Sequence, residues 1–290
     1  MKSSVYLLWL EWPESCFRVN GGDLSYFRSL VPTGSRVIRA KTRAGFLAAL
    51  PRATHVITWF FDEAWFAKAP HLKVLATPSA GRELLPKTGP KGVTVHFGGF
   101  HGRIMAESAV GFMLAWARGF FLPELKAPWK RPEVCDKCYM LEGSQAVIVG
   151  YGKVGKAIGD KLELLGVKVA GFRRANLKDL PKAAKTADWL VMAMPGDTGT
   201  DGFLNKEIIA KLPPKCVIVN VGRGSAIDES ALFDALRRGR LAGAYLDVRR
   251  EEPQKRLTKV PNLILQPHSA AASPDYLRSC FRELKDDRLI

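Results

Sequence analysis

A glycine-rich turn between a β-branched run and a helical pattern constrains the fold of this chain more than any other feature. Residues 147–149 are Val-Ile-Val, and Gly-Tyr-Gly-Lys-Val-Gly follows at 150–155. Apolar residues then recur at helical spacing as far as Leu165, and a second apolar run occupies 167–172. This order of strand, tight turn, helix and strand predicts a βαβ unit of the length that a dinucleotide-binding fold requires.

Each glycine of this turn has its own expected role. Gly150 permits the tight turn, Gly152 lets the backbone approach a pyrophosphate, and Gly155 lets the helix pack against the strand. The N-terminus of the helix offers N–H groups and the positive end of its dipole to the phosphates. We therefore predict that the turn binds the cofactor. Its residues are Gly150, Tyr151, Gly152, Lys153, Val154 and Gly155.

The end of the second strand indicates which dinucleotide binds. An NAD site usually places an acidic residue there for the ribose 2′-OH, whereas arginine accommodates a 2′-phosphate. Arg173 and Arg174 stand at this position, where the acid is missing. Because a guanidinium holds a phosphate with two parallel hydrogen bonds, the sequence predicts NADP(H). NAD(H) is the alternative if both arginines are only solvated surface residues.

Composition limits the class of protein. The chain has 290 residues, 47% of them hydrophobic, which is enough for one large core or two of ordinary size. No apolar run is long enough to span a membrane, and Glu11 and Glu14 come too early for a secretory signal. These features predict a soluble, cytoplasmic protein with no membrane partner.

Cysteines and charge point to no further ligand. Five cysteines do not suggest a disulfide framework, and the CxxC at Cys135 and Cys138 lacks a second ligand pair, so we expect no metal. The formal charge of +16 would suit nucleic acid, but the basic residues are spread along the chain without an organising motif. Nucleic acid is therefore not the expected partner. Anionic small molecules account for part of the charge.

Three reactive side chains follow apolar runs in the second half of the chain. They are Arg223, Asp247 and His268. In open α/β sheets, ligands bind beyond the carboxyl ends of the strands, so we expect these side chains at the ligand-binding edge. Further residues at these strand ends are predicted to line the cofactor site: Pro195, Val221 and Gly222.

Three blocks of sequence resemble the D-isomer-specific 2-hydroxyacid dehydrogenase family. LATPSAGRELL at 75–85 and VTVHFGGFHGRIMAESAVGFMLAWARG at 93–119 are similar to its substrate lobe and crossover helix. VNVGRGSAIDESALFDALRRGRLAGAYLDVRREEP at 219–253, followed by LILQPH at 263–268, is similar to its NAD(P)-binding domain. The order of the Arg, Glu-Pro and Pro-His motifs is more specific than the glycine turn.

The resemblance assigns roles to individual residues. It implies that Arg223 grips the substrate carboxylate and polarises the keto oxygen, as a planar guanidinium can. It implies that His268 is the acid/base and that Glu252 is the carboxylate partnered with it. Asp247 would support the nicotinamide end of the cofactor site. The backbone of Ser79, Ala80 and Gly81 would bind the substrate carboxylate.

The fold implied is α/β with two Rossmann-like lobes. A flavodoxin-like substrate lobe would comprise residues 1–120 plus 271–290, and a doubly wound parallel-sheet dinucleotide-binding lobe would comprise 121–270. The reaction implied is hydride transfer between NADP(H) and a small 2-oxo or D-2-hydroxy acid, as in a glyoxylate or hydroxypyruvate reductase. The alternatives are an NAD-linked D-2-hydroxyacid dehydrogenase and a non-catalytic dinucleotide-sensing scaffold. The family also implies a homodimer, formed through 105–118.

Two departures from the family pattern bear on the site and the fold. Arg249 replaces the aromatic residue that usually follows Asp-Val, and the C-terminal helix at 276–284 is short. We expect altered packing beside the site, and the sequence leaves the packing of the C-terminal helix undecided.

Overall fold

The computed structural model describes residues 4–122, 131–196, 198–250 and 260–290. Contacts divide the chain into two compact units, Met1–His101 with Ala272–Ile290, and Gly102–Ala271. The sequence places the boundary near residue 120, whereas the contacts place it at His101. The reason is that Ala106, Val110 and Met113, on the helix after His101, belong to the core of the second unit.

The first unit is built on five parallel strands. Short runs of apolar residues form them, and β4 is buried along its whole length. The strands are β1 (Val5–Trp9), β2 (Arg36–Arg39), β3 (His55–Thr58), β4 (Val74–Thr77) and β5 (Thr94–Phe97). Their order in the sheet is β2-β1-β3-β4-β5, and every neighbouring pair is parallel. Short apolar runs predict strands at 5–10, 36–40, 55–60, 73–78 and 93–97, and all five observed strands agree with these to within two residues at either end.

Three helices complete the first unit: α1 (Gly21–Leu30), α2 (Arg43–Ala49) and, near the C-terminus, a helix described below. Helix α1 begins at a capping box, in which the Asn20 side chain accepts from the Asp23 N–H and the Asp23 carboxylate accepts from the Asn20 N–H. Thr42 caps α2 by accepting the Gly45 N–H. The helical pattern at 42–50 predicts α2, whereas α1 is not predicted from the sequence.

The second unit contains six parallel strands. They are β6 (Gln145–Val149), β7 (Lys168–Phe172), β8 (Trp189–Met192), β9 (Val217–Asn220), β10 (Gly243–Leu246) and β11 (Leu263–Leu265). Their order is β11-β10-β9-β8-β6-β7, so the chain reverses its direction of travel across the sheet between β6 and β8. Ligands of doubly wound sheets bind at such a switch point. The prediction of two Rossmann-like parallel α/β sheets is confirmed.

The helices of the second unit and the C-terminal helix have these bounds. They are α3 (His101–Ala117), α4 (Arg131–Cys135), α5 (Lys153–Leu164), α6 (Leu180–Ala184), α7 (Lys206–Ile209), α8 (Glu229–Arg237) and α9 (Tyr276–Asp286). The apolar pattern at 105–118 predicts a helix there, and α3 starts one turn earlier, at His101. Within the described ranges, no helix has the length and apolar character needed to cross a membrane.

The C-terminal helix α9 packs firmly on the first unit, which answers the question left by its short length. Phe281 is fully buried, and its ring meets that of Phe27 on α1 edge to face, with 4.8 Å between centroids. Arg278 also donates to Asp23 at 3.3 Å.

At the C-terminal end of α9, Glu283 and Asp287 face His96 on β5. These three residues are the one group of potential metal ligands found in the described ranges. Glu283 already accepts the Gly99 N–H, at 3.0 and 2.8 Å to its two oxygens. This cluster therefore links α9 to the end of β5. Neither Cys135 nor Cys138 belongs to it.

We expect Phe281→Ala to lower the free energy of unfolding by about 3–5 kcal/mol, because it leaves a cavity between α1 and α9. Urea denaturation would measure the loss. Asp286→Ala, an exposed change on the same helix, should stay within about 0.5 kcal/mol of the wild type. Equal stability of Phe281→Ala and the wild type would show that α9 contributes little to the first unit.

Candidate active site

Two of the three turn glycines are required by close backbone approach. Gly150 has φ +92°, and a Cβ there would lie 2.6 Å from the Ala193 carbonyl carbon. A Cβ on Gly155 would lie 2.4 Å from the Gly150 oxygen and 3.2 Å from Ile148 Cγ2, so the absence of a side chain lets α5 lie close to the end of β6. At Gly152 no atom lies within 4 Å of a Cβ position, so the backbone there is open to a ligand.

A cavity of about 610 Å³ adjoins this turn, beyond the carboxyl ends of β6, β7 and β8. Its lining includes the first four residues of the glycine turn, both arginines after β7, and Pro195 after β8. Its described lining residues include no acid. Four of them are cationic: Lys153, Lys156, Arg173 and Arg174. A cavity of this size and charge, next to an open turn at a helix N-terminus, fits a phosphate-rich dinucleotide.

Arg173 is held in place by the turn and by a neighbouring amide. Its Nε donates to the Tyr151 carbonyl at 2.7 Å, and its backbone N–H donates to Asn176 Oδ1 at 2.7 Å. Asn176 Nδ2 in turn donates to the Gly171 carbonyl at 3.2 Å. With Nε engaged, the two terminal amino groups of the guanidinium are the ones that can meet a ligand in the cavity. Asn176 is not among the residues predicted from the sequence, and its position four residues after the end of β7 is its one signal.

The ring of Tyr151, whose carbonyl accepts from Arg173, packs against the backbone of Gly171. A Cβ on Gly171 would lie 2.4 Å from Tyr151 Cγ, so the ring rests directly on the backbone of β7. Burial raises the pKa of the Tyr151 hydroxyl, and the nearby Glu163 and Asp160 raise it further. Tyr151 therefore contributes a neutral ring to the packing and a carbonyl to Arg173.

The turn that carries Arg223 is shaped by a buried amide at the end of β9. Asn220 Oδ1 accepts the Gly222 N–H at 3.0 Å, and Asn220 Nδ2 donates to the Arg223 carbonyl at 3.1 Å. Asn220 is fully buried, whereas Arg223 is half-buried. The sequence analysis misses Asn220, although a polar residue at the end of an apolar strand is a detectable signal.

His268 and Asp247 lie together at the ends of β10 and β11. The His268 N–H donates to the Asp247 carbonyl at 2.8 Å, and His268 adopts a left-handed backbone conformation with φ +53°. Asp247 is buried, and its Oδ1 accepts the N–H groups of Ser269 and Ala270 at 2.8 and 2.9 Å. Burial raises the pKa of Asp247, and these two donors and the nearby His268 partly offset the rise.

Backbone contacts join these strand ends into one edge. A Cβ on Gly222 would lie 2.6 Å from the Met194 oxygen, and one on Gly150 would lie 2.6 Å from the Met194 nitrogen. The Asp247 N–H donates to the Asn220 carbonyl at 3.0 Å. The structure therefore brings the glycine turn, the Arg223 turn, Asp247 and His268 to the same edge of the second sheet.

The remaining predicted residues differ in what they offer. Val154 and Val221 pack with the core of the second unit, so only their backbones are available to a cofactor. In the first unit, the Ser79 N–H donates to Thr77 Oγ1 at 3.2 Å and the Gly81 N–H donates to Ser79 Oγ at 3.1 Å. Two of the N–H groups predicted for the substrate carboxylate are thus already engaged. Glu252 lies outside the described residues.

Comparison with known proteins identifies the family. The D-isomer specific 2-hydroxyacid dehydrogenase NAD binding domain matches residues 110–270. Glycerate dehydrogenase of Methylorubrum extorquens is 30% identical over 236 residues, which cover 75% of each chain. The chain belongs to the D-isomer-specific 2-hydroxyacid dehydrogenase family. It is accordingly an NAD(P)-dependent oxidoreductase of 2-hydroxy acids.

Other members of the family support both sequence and fold. Glyoxylate reductase of Pyrococcus furiosus is 27% identical over 236 residues, covering 73% of this chain and 70% of that one. The Xanthobacter autotrophicus D-isomer specific 2-hydroxyacid dehydrogenase, in complex with NADPH and MES, has a TM-score of 0.79 at 23% identity. That likeness covers 98% of this chain and 93% of the other. At this identity it establishes the fold alone.

We expect Asp247→Asn to change how stability depends on pH. The folded-state pKa of Asp247 is raised, so the wild type should lose stability as pH rises from about 3.9 through that pKa. The amide oxygen of Asn can still accept both backbone N–H groups and has no charge to bury. Urea denaturation between about pH 4 and pH 7 measures the effect. The free energy of unfolding of the variant, relative to that of the wild type, should increase as pH rises through this range.

The exposed Asp234→Asn serves as the control for this measurement, and its difference from the wild type should not follow the same trend. A constant difference between Asp247→Asn and the wild type at every pH would contradict the raised pKa.

Proposed function

We propose that this enzyme reduces small 2-oxo acids to D-2-hydroxy acids with NADP(H), as a glyoxylate or hydroxypyruvate reductase does. Family membership supports the class of reaction. The single observation that carries the cofactor preference is the anchored Arg173 at the end of β7, in a cavity lined by four cations. NADPH-linked enzymes tend to work in the reductive direction, which favours the 2-oxo acid as substrate.

The cofactor preference follows from charge and geometry. A 2′-phosphate adds two negative charges and several acceptor oxygens at the position where NAD carries a hydroxyl. Arg173 and Arg174 would hold it, and the fixed Nε of Arg173 means that little further ordering is needed when the phosphate binds. Lys153, at the first position of α5, would contact the pyrophosphate. The Xanthobacter structure is a complex with NADPH, which is consistent with this preference.

The chemistry at the other end of the site would be divided among three side chains. Arg223 binds the substrate carboxylate and its guanidinium polarises the carbonyl. His268 delivers a proton to the carbonyl oxygen, a step suited to an imidazole whose ordinary pKa is about 6.5. Glu252 stabilises the imidazolium. When bound, the nicotinamide supplies the hydride that the carbonyl carbon receives.

Asp247 would act through the backbone. Its carbonyl and carboxylate accept the N–H groups of residues 268–270. Asp247 would therefore fix the backbone position from which the His268 side chain projects. The loop Ser79–Gly81 would contribute to carboxylate binding mainly through Ala80, since the neighbouring N–H groups are engaged.

A homodimer is part of the proposal. Four large apolar side chains near the C-terminal end of α3 are exposed, and the Tyr139 N–H donates to the Ala117 carbonyl, which brings the 139–140 segment beside that end. The four exposed side chains are Leu114, Phe120, Phe121 and Met140. A clustered apolar surface of this kind favours a protein interface. A cytoplasmic location stays a prediction from sequence.

Replacing His268 tests the proposed reaction. The wild type should oxidise NADPH with glyoxylate or hydroxypyruvate, and His268→Ala should lower kcat by about 10²–10⁴-fold because the proton donor is lost. The loss of NADPH absorbance measures both. The exposed His71→Ala is the matched control and should keep wild-type activity. NADPH binding without turnover by the wild type, across a panel of 2-oxo acids, would instead support the dinucleotide-sensing alternative.

Replacing Arg173 tests the cofactor preference. In Arg173→Asp the ratio of kcat/KM for NADPH to that for NADH should fall by about 10–150-fold, since charge-assisted hydrogen bonds are worth about 1.5–3 kcal/mol. Steady-state kinetics with both cofactors measure the ratio. Lys178→Asp makes the same charge change at an exposed residue outside the cavity lining and should leave the ratio unchanged. An unchanged ratio in Arg173→Asp would favour the NAD-linked alternative.

A further inference from the structure

The turn that carries Arg223 lies directly against the chain that follows β10. A Cβ on Gly224 would lie 1.9 Å from the Arg249 carbonyl carbon and 2.4 Å from the Arg250 nitrogen. Only a residue without a side chain fits here. The position of the Arg223 turn is therefore tied to the position of the Arg249–Arg250 backbone.

Glu229 holds that backbone in place. It is the first residue of α8, where the helix dipole favours a carboxylate. Its Oε1 accepts the Arg250 N–H at 2.8 Å, and its Oε2 pairs with Arg249 Nη2. The Glu229 and Arg249 side chains are only 14% and 12% exposed, so this ion pair is shielded from solvent.

Glu229 supplies most of the interactions that compensate for burying the positive charge of Arg249. Its guanidinium lies 5.6 Å from the centre of the Phe233 ring, and in the described part of the chain its Nε and Nη1 have no hydrogen-bond partner. Removing one member of a buried pair leaves the other charge uncompensated, which is costly. Loss of the Glu229 charge should therefore displace Arg249 and the backbone that rests on Gly224.

The Arg250 side chain also bonds to the turn that follows Arg223. Its guanidinium donates to the Ser225 carbonyl at 2.8 Å and to Asp201 Oδ1 at 2.6 Å. Ser225 belongs to the short helical turn that follows Arg223. Residues 249–250 thus bind α8 on one side and the Arg223 turn on the other.

We propose that Glu229 is a positioning residue for substrate binding, which sets Arg223 by holding Arg249 and Arg250 against the Gly224 turn. The proposal rests on the substrate-binding role of Arg223 in the proposed function. It gives Arg249 a role as well: in place of an aromatic residue it supplies the cation that Glu229 pairs with. The described residues of this contact do not include Arg173.

The test compares Glu229→Gln, Arg249→Met and the double variant by steady-state kinetics. Glu229→Gln should raise KM for the 2-oxo acid about tenfold, the effect of losing one hydrogen bond to a charged group, and should change KM for NADPH by less than about twofold. The double variant leaves no unpaired charge and should recover most of the loss. Asp234→Asn, which breaks the exposed Asp234–Arg238 pair on the same helix, should match the wild type.

Amide hydrogen exchange gives a readout that needs no turnover. In Glu229→Gln, exchange should become faster at 222–226 and stay unchanged at the glycine turn, 150–155. Unchanged exchange at 222–226, or an equal rise in both KM values, would overturn the positioning role. Absence of turnover in the wild type would instead overturn the proposed function, so the two failures are distinguishable.

Discussion

The close approach of three strand ends around the backbone of Met194 is the constraint on which the site depends. Gly150 and Gly222 each lie where a Cβ would meet this backbone at under 3 Å. Side chains at either position would push the turns after β6 and β9 apart. Because both are glycines, the turn proposed to bind the cofactor and the turn that carries Arg223 follow neighbouring parts of one sheet edge. Parallel pairing of β6, β8 and β9 then sets their spacing.

Polar side chains at the strand ends bond mainly to the backbone, and so fix the turns that carry the residues proposed to bind ligands. Asn220 shapes the Arg223 turn, Asp247 fixes the backbone from 268 to 270, and Asn176 fixes the end of β7. Burying an amide or a carboxylate is unfavourable unless its hydrogen bonds are satisfied, and these three are satisfied largely by main-chain groups. The raised pKa of Asp247 shows that the compensation is incomplete for the one charged member. The benefit is a turn geometry that does not rely on a bound ligand.

Local patterns predict what local physics decides. The β-branched runs, the glycine spacing and the residues after each run predict the strands of both sheets, the βαβ unit and the edge where Arg223, Asp247 and His268 lie. Other features depend on contacts between distant residues. The Glu229–Arg249 pair, for example, joins residues twenty positions apart. Side-chain orientation is also not predicted by these patterns: the Ser79 N–H donates to the Thr77 hydroxyl and the Gly81 N–H donates to the Ser79 hydroxyl. Helix α3 starts earlier than the apolar pattern predicts, because His101, Gly102 and Arg103 in its first turn interrupt that pattern.

The proposed roles separate the choice of cofactor from the binding of substrate. Arg173 and Arg174 follow β7 at one end of the strand order, whereas Arg223, Asp247 and His268 follow β9, β10 and β11 toward the other. A 2′-phosphate bound after β7 adds binding energy far from the reacting carbon, so it changes affinity for the cofactor without altering the geometry around His268. The Glu229 contact adjoins the turn of Arg223, the residue proposed to bind the substrate. Substitutions after β7 are therefore expected to change which dinucleotide is used, and substitutions around Gly224 to change how the 2-oxo acid is held.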